Sequence, residues 1–438
     1  MSFLTRRSFV RASGAAALAP AALSRAARTG TDSNDRIRVA LIGAGGRGRA
    51  DLTAFLTNPE ADCAVVCDVD DRQIAAGCDL VEKTRGKRPD AEKDFRRVLD
   101  RKDVDACLIG TPDHWHALQT ILACQAGKDV YVEKPLATTI GEGRAMVEAA
   151  RRYRRVVQMG TQWRNMTHCQ EAIEFVHSGK LGQIRQVRAW AYMDSVGGIG
   201  RPPDRDPPPG VDYDMWLGPA PKRPFNPNRF HSNFRWFWDY AGGLTTDWGV
   251  HLLNVALWGM GHEPPGTICS VGRKYLSDDN TETPDAQVVV YEFPAYQLIW
   301  DAQMRAGLGP NGRPHGVTFS GTEAALTVDN RGWEVVPELS KPDLSIKRNT
   351  NSKELNADPT RAHVRDFLEC VRTRRDPLMS MEPSHLATTV AHLGNIALRT
   401  QSRLSWNSRT ESIQDNQAAS SFLRREYRAP WALPSSNG

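Results

Sequence analysis

After its first thirty residues the chain has no stretch of about eighteen consecutive apolar residues, so the sequence offers no membrane-spanning helix in the mature part. Cysteine is sparse, with eight in 438 residues, and none falls at a metal-binding spacing. Cys63, Cys67 and Cys107 lie in expected strands and Cys78, Cys124, Cys169 and Cys370 in expected helices, where they read as small buried apolar residues. That excludes a disulfide-stapled fold and predicts no metal site. The net charge of +5 is dispersed, and no basic stripe interleaved with aromatics is present, which argues against nucleic acid as a partner. Repeats and heptads are also missing. With 40% hydrophobic and 24% charged residues, the chain has the composition of a globular protein, and its length suits two domains plus extensions.

The most informative stretch begins at Ile37. An apolar strand runs to Ile42, followed without a gap by Gly43-Ala-Gly-Gly-Arg-Gly48 and then by a helix to Leu56. A glycine triplet between strand and helix is the arrangement that binds a dinucleotide. Gly43 permits the tight turn, Gly45 and Gly46 the approach of a pyrophosphate, and Gly48 close packing of helix on strand. The helix N-terminus adds N–H donors and positive dipole. A second strand ends at Asp68, about twenty residues further on, where an acid accepts from a ribose 2′-hydroxyl and repels a 2′-phosphate. NAD is therefore favoured, while Arg47 and Arg72 keep NADP open.

Strands and helices alternate from residue 35 to 160, predicting a doubly wound, mostly parallel α/β sheet of the Rossmann type. Ligands on such sheets lie beyond the carboxyl ends of the strands. There the loop Gly110-Thr-Pro-Asp-His-Trp-His116 brings Thr111, Pro112, His114 and His116 toward a nicotinamide ribose. Glu133-Lys-Pro135 brings Glu133 and Lys134 toward the nicotinamide end. Burial and the positive oxidised ring would lower the pKa of that lysine and suit it to proton transfer or to holding a substrate hydroxyl. A solvated lysine at a strand end fits the same position.

Residues 161–404 change character. Successive strands without intervening helices predict an α+β domain with a large open, mostly antiparallel sheet. Within it, Trp236-Phe-Trp-Asp-Tyr-Ala-Gly-Gly-Leu-Thr-Thr-Asp-Trp-Gly-Val-His251 leads into a helix that carries Asp247 and His251 four residues apart, on one face. A carboxylate beside an imidazole makes an acid–base pair, and a structural hydrogen bond accounts for the pair equally well. Trp216, Trp236, Trp238 and Tyr240 suit sugar stacking or core packing. Helices over residues 360–374 and 383–403 are expected to tie the domains together. Residues 405–438 form a C-terminal arm, either on the surface or reaching a neighbouring subunit.

The first thirty residues read as an export signal. Thr5-Arg-Arg-Ser-Phe-Val10 precedes a short, weakly apolar stretch and then small residues, the order of a twin-arginine signal peptide. That predicts passage through the twin-arginine export machinery and a periplasmic location.

Together, Gly43-Ala-Gly-Gly-Arg-Gly48, Thr111-Pro-Asp-His-Trp-His116, Glu133-Lys-Pro135, Asp247-x-x-x-His251, the run from Val211 to Pro221 and the ending Tyr427-Arg-Ala-Pro-Trp431 resemble the Gfo/Idh/MocA family (glucose–fructose oxidoreductase, inositol dehydrogenase), its exported bacterial branch in particular. The resemblance implies an NAD(P)-dependent oxidoreductase of sugar or polyol CH–OH groups, with an open sheet that mediates homo-oligomers. It implies Lys134, Asp247 and His251 as the catalytic set. His251 would take the hydroxyl proton, Lys134 polarise the oxygen and Asp247 orient substrate or base. Two positions depart from the pattern: Asn254 stands where relatives often carry an acid, and Asp113 where they often carry an asparagine. An NAD-dependent glycoside hydrolase working by transient oxidation, and a non-catalytic nucleotide- or sugar-binding protein, are the rival readings.

Overall fold

Apart from one short edge strand, the strands of the N-terminal half are mostly apolar and buried, because both faces of their sheet are covered by helices. β1 (Ile37–Ile42), β2 (Ala61–Cys67), β3 (Asp90–Glu92), β4 (Ala106–Ile109), β5 (Asp129–Val132) and β6 (Val157–Met159) pair in parallel in the order β3-β2-β1-β4-β5-β6. This is the doubly wound order, with its switch between β1 and β4. The computed structural model describes residues 35–434 apart from 277, 341 and 350–357. The expected signal peptide lies outside the described residues.

The connecting helices are α1 (Gly46–Leu56), α2 (Asp71–Arg85), α3 (Phe95–Leu99), α4 (Asp113–Gln125) and α5 (Ile140–Arg152). α4 begins at Asp113, inside the stretch that the sequence offered as a loop. Asp113 and His114 thus stand in its first turn, directly after Pro112, whose fixed φ suits a helix start.

After α6 (Thr167–His177), the second sheet contains β7 (Gln186–Met193), β8 (Thr267–Arg273), β9 (Ala286–Glu292), β10 (Gln297–Met304), β11 (His315–Ser320), β12 (Ala324–Asp329), β13 (Gly332–Pro337), β14 (Ile346–Asn349), β15 (Leu404–Asn407) and β16 (Ser412–Gln414). Their order is β14-β13-β12-β11-β7-β10-β9-β8-β15-β16, antiparallel except for the parallel pair β7–β10. Between β7 and β8 lie α7 (Tyr213–Leu217), α8 (Gly243–Asp247) and α9 (Gly249–Gly259). The single helix expected to carry Asp247 and His251 is therefore two, broken at Trp248. The cause is visible in the hydrogen bonds. The Asp247 carbonyl accepts from Lys134 Nζ at 3.0 Å, and the His251 N–H donates to Trp248 instead, at 3.2 Å.

Two late helices join the halves. α10 (Pro359–Thr373) packs Phe367 edge-on against Phe55 and Tyr131, so it shares the core of the first sheet despite its place in the sequence. α11 (Met381–Thr400) lies between α5 and the second sheet and is buried along most of its length. Its Thr388 hydroxyl accepts from the Leu136 N–H at 3.3 Å, and His392 Nε2 lies 2.9 Å from the Ala137 carbonyl. Both contacts pin the loop that follows Lys134. All eight cysteines are free thiols, and Cys269 alone of them is exposed. Among the described residues, no helix is long and apolar enough to cross a membrane.

The C-terminal arm folds onto its own chain. Buried Glu142, the capping-box acid of α5, accepts from Arg425 Nε at 2.8 Å and from the Tyr427 hydroxyl at 2.7 Å. Trp431 packs edge-on against Trp115 at 4.9 Å. Burial raises the pKa of Glu142, but Arg425 and the hydroxyl donors outweigh it and hold the carboxyl below the ordinary glutamate value. Glu142→Gln leaves a buried guanidinium without its counter-charge and should cost about 3 kcal/mol at neutral pH, read by urea unfolding. A depressed acid stabilises above its unfolded pKa, so the gap between wild type and variant should close as pH falls through the lowered folded value.

Candidate active site

Beyond the carboxyl ends of β1, β4 and β5 lies a cleft of about 400 Å³, walled on its far side by the segment from Met215 to Arg235. Its floor is the glycine turn. Gly43 has φ +90°, and a Cβ there would stand 2.5 Å from Thr111 N. A Cβ on Gly48 would meet the Gly43 carbonyl oxygen at 2.0 Å, so helix and strand touch backbone to backbone. Gly45 and Gly46 differ: a Cβ on either meets nothing within 4 Å. Their side faces open cleft at the N-terminus of α1, which has no acid in its first turn and no side-chain cap. Free donors beside open space fit the pyrophosphate of a dinucleotide.

Asp68 lines the same floor. Its carboxylate accepts from the N–H of Ala44 at 2.7 Å and of Asp70 at 3.0 Å. Burial pushes its pKa up to about 6, against the pull of those donors. The two arginines that kept NADP open both carry ion pairs. Arg47 lines the cleft and pairs with Asp51 at 2.5 Å and Glu133 at 3.1 Å. Arg72 is 63% exposed at its side chain, paired with Asp70, and absent from the cleft lining. Arg49, bonded to the Ala44 carbonyl and Gln73, and Lys93, paired with Asp71, line the cleft as well.

Of the Thr111-Pro-Asp-His-Trp-His116 stretch, Thr111, Pro112, Asp113, Trp115 and His116 line the cleft. His116 acts as a staple, its ring nitrogens 2.8 Å from the Pro135 carbonyl and 2.9 Å from the Thr111 carbonyl. His114 does not reach the cleft. Its ring is buried against Trp216 and Tyr240, with Nε2 2.9 Å from the Trp216 carbonyl, and burial pushes its pKa down to about 3. Its place in the first turn of α4 turns His114 inward.

At the opposite end the two halves of the molecule meet through charge. Lys134 Nζ forms an ion pair with Asp247 Oδ1 and donates to the Asp247 carbonyl, while Arg235 Nε donates to the same Oδ1 at 3.0 Å. Burial raises the pKa of Asp247, yet the two cations outweigh it and hold the carboxyl well below the usual range. Glu133, behind Lys134, is held down in the same way by Arg47 and Lys134. His251 lies one turn past Asp247, 9% exposed, and is not among the cleft-lining residues. Its Nδ1 is buried without a hydrogen-bond partner, and burial, with Lys134 nearby, pushes its pKa down to about 3. Asn254 is fully buried and accepts from Arg164 at 2.9 and 3.2 Å, so it makes no contact at the cleft surface. Trp216 lines the cleft, whereas Trp236 and Tyr240 belong to the core.

Sequence reasoning missed Arg235, which carries no motif of its own, and the neighbouring wall residues Met215, Ser232 and Phe234. Asp113 was marked only as a departure from the expected asparagine, and it lines the cleft.

The glycines predict two separable phenotypes. Gly45→Ala or Gly46→Ala should leave the apo melting temperature nearly unchanged and weaken NAD binding at least tenfold, because the methyl enters the phosphate space. Gly48→Ala should lower the apo melting temperature, because its Cβ has nowhere to go. Melts with and without NAD measure both.

Comparison with known proteins agrees with this geometry. The family model described as "Oxidoreductase family, NAD-binding Rossmann fold" matches residues 37–161, and its companion, "Oxidoreductase family, C-terminal alpha/beta domain", matches 184–268 and 343–433. A glycosyl hydrolase family 109 protein of Saccharopolyspora erythraea is 32% identical over 172 residues, 38% of this chain and 37% of its own length. An alpha-N-acetylgalactosaminidase of Shewanella oneidensis is 26% identical over 36% of each chain. The chain thus spans little more than a third of these relatives. Among solved structures, levoglucosan dehydrogenase with NADH and L-sorbose superposes with a TM-score of 0.68 at 17% identity, covering 85% of this chain and 99% of that one. Aldose-aldose oxidoreductase from Caulobacter crescentus gives 0.64 at 20% identity, covering 84% and 99%. With the glycine cradle, the Lys134 loop and both domain models in agreement, the chain belongs to the Gfo/Idh/MocA oxidoreductase family, with an NAD-binding Rossmann domain and its C-terminal alpha/beta domain.

Proposed function

We propose that the protein exchanges a hydride between NAD and a secondary carbinol of a sugar or polyol, in the periplasm. The observation that carries this reading is that the Lys134 ammonium, fixed by Asp247, stands in one cleft with the open side of Gly45 and Gly46. Bound NAD supplies the two-electron acceptor. The chain supplies the rest. Two donors of the Lys134 amine are taken by Asp247, which leaves one for a substrate oxygen. Arg235 balances the Asp247 carboxylate and keeps Lys134 from being neutralised by it alone. The segment from Val211 to Arg235 covers the cleft, and it is anchored to the nucleotide domain by the Asp70–Val211 bridge and by His231 on Asp70 at 3.0 Å. That cover favours a nucleotide retained through turnover and excludes water from the reacting carbon.

Lys134→Ala should reduce kcat at least 100-fold with NAD affinity within about threefold of wild type. The assay follows NADH absorbance across a panel of polyols, aldoses and glycosides. An unaltered kcat would remove Lys134 from the chemistry. The relatives named glycosyl hydrolase family 109 support a second reading, glycoside cleavage through transient oxidation at the same carbon. Release of free sugar from a glycoside without net NADH would select it.

The twin-arginine signal supports export of a folded, loaded protein, and apolar side chains standing out from the second sheet, Val271 and Val336 among them, support a homo-oligomer. Native mass spectrometry of protein taken from the periplasm should show a multimer with about one NAD per subunit. An apo monomer, or retention in the cytoplasm, would overturn these assignments.

A further inference from the structure

We propose that Asp113 is a catalytic residue: its carboxylate takes the hydroxyl proton when the carbinol is oxidised and returns it in the reverse direction. The assignment rests on the carbinol-oxidation reading above and deepens it by naming the base.

Asp113 lines the cleft at the first turn of α4 and is 6% exposed. Among the described residues no ion pair and no hydrogen bond from another residue engages its carboxylate, which is left open to the cleft. The charged groups facing it come from three elements: Arg235 from the segment before α8, Lys134 from the loop after β5, and Asp247 from the end of α8. His114 and His116 share its own helix and are occupied by backbone carbonyls. Burial pushes the Asp113 carboxyl up to about 7, against the pull of Arg235 and Lys134, so it changes charge in the range where a general base works.

The other candidates suit the task less well. Lys134, as the ammonium of an ion pair, polarises an oxygen but has no lone pair to receive a proton. His251 stands behind the cleft wall, and its lowered basicity makes it a poor acceptor. The asparagine that the family pattern implies at this position would bind an oxygen yet could not take its proton. In the step, the carbinol O–H breaks and a carboxyl O–H forms on Asp113. The C–H electron pair leaves as hydride to NAD, and the C–O bond becomes a carbonyl. The substrate loses two electrons, which reduce NAD to NADH, and Asp113 returns its proton to water as product leaves.

Asp113→Asn keeps the size and helix-start capacity of the residue. Wild-type kcat for oxidation should rise with pH through about 7. The variant should lose about 100-fold or more at the plateau, show no break there, and hold NAD as before. A second readout needs no turnover. An acid with a raised folded pKa costs stability progressively as pH climbs from its unfolded value through the folded one, so the melting temperature of the apo variant should exceed that of wild type at pH 8, with the gap closing by about pH 4. Unchanged kcat with the same pH break would overturn the assignment alone. A gap that does not vary with pH would show that the carboxyl is not pushed up and would overturn it too. A wild-type protein inert toward every carbinol, with the pH-dependent gap intact, would end the oxidoreductase reading and the catalytic role with it.

Discussion

The contact between Lys134 and Asp247 is where the two halves of the molecule become one site. Each partner comes from a different domain, both are largely withdrawn from solvent, and the lysine also takes the Asp247 carbonyl away from its helix. Two buried charges are costly unless paired, and this pair is held from outside by Arg235 and backed by Glu133. The break between α8 and α9, the setting of His251 behind the wall, and the orientation of the Lys134 amine follow from it.

Charge compensation extends from there beneath the glycine turn. Arg47 faces both Asp51 and Glu133, two acids pressed together in a buried space, and burial with the Glu133 charge pushes the Asp51 carboxyl well up. Space for Glu133 is bought by Gly160, where a Cβ would stand 2.2 Å from Oε1. Arg47 therefore lines the cleft and at the same time serves as the counter-ion of both acids.

Three distant segments close the cleft. The stretch from Val211 to Arg235 bridges to Asp70, α11 pins the loop after Lys134, and the C-terminal arm sets Trp431 against Trp115 in the cleft wall. The first is itself a cleft wall, and the other two fix walls from behind. Such support holds a reacting geometry to within fractions of an ångström.

Sequence alone determined whatever depends on neighbours along the chain. The apolar run of β1, the glycines from Gly43 to Gly48, the acid ending β2 and Glu133-Lys-Pro135 follow local rules of turn, strand and helix end, and they announced the doubly wound sheet and NAD. Only the tertiary structure decided which side chains share a space. It turned His114 into the core, drew Arg72 out to Asp70, buried Asn254 on Arg164, and brought in Arg235, which no spacing marks. It also gave Asp113 a lining position that a one-letter departure could not reveal. The reason is physical: backbone geometry is set within a few residues, whereas burial and most charge pairing at the site depend on how separate elements pack together.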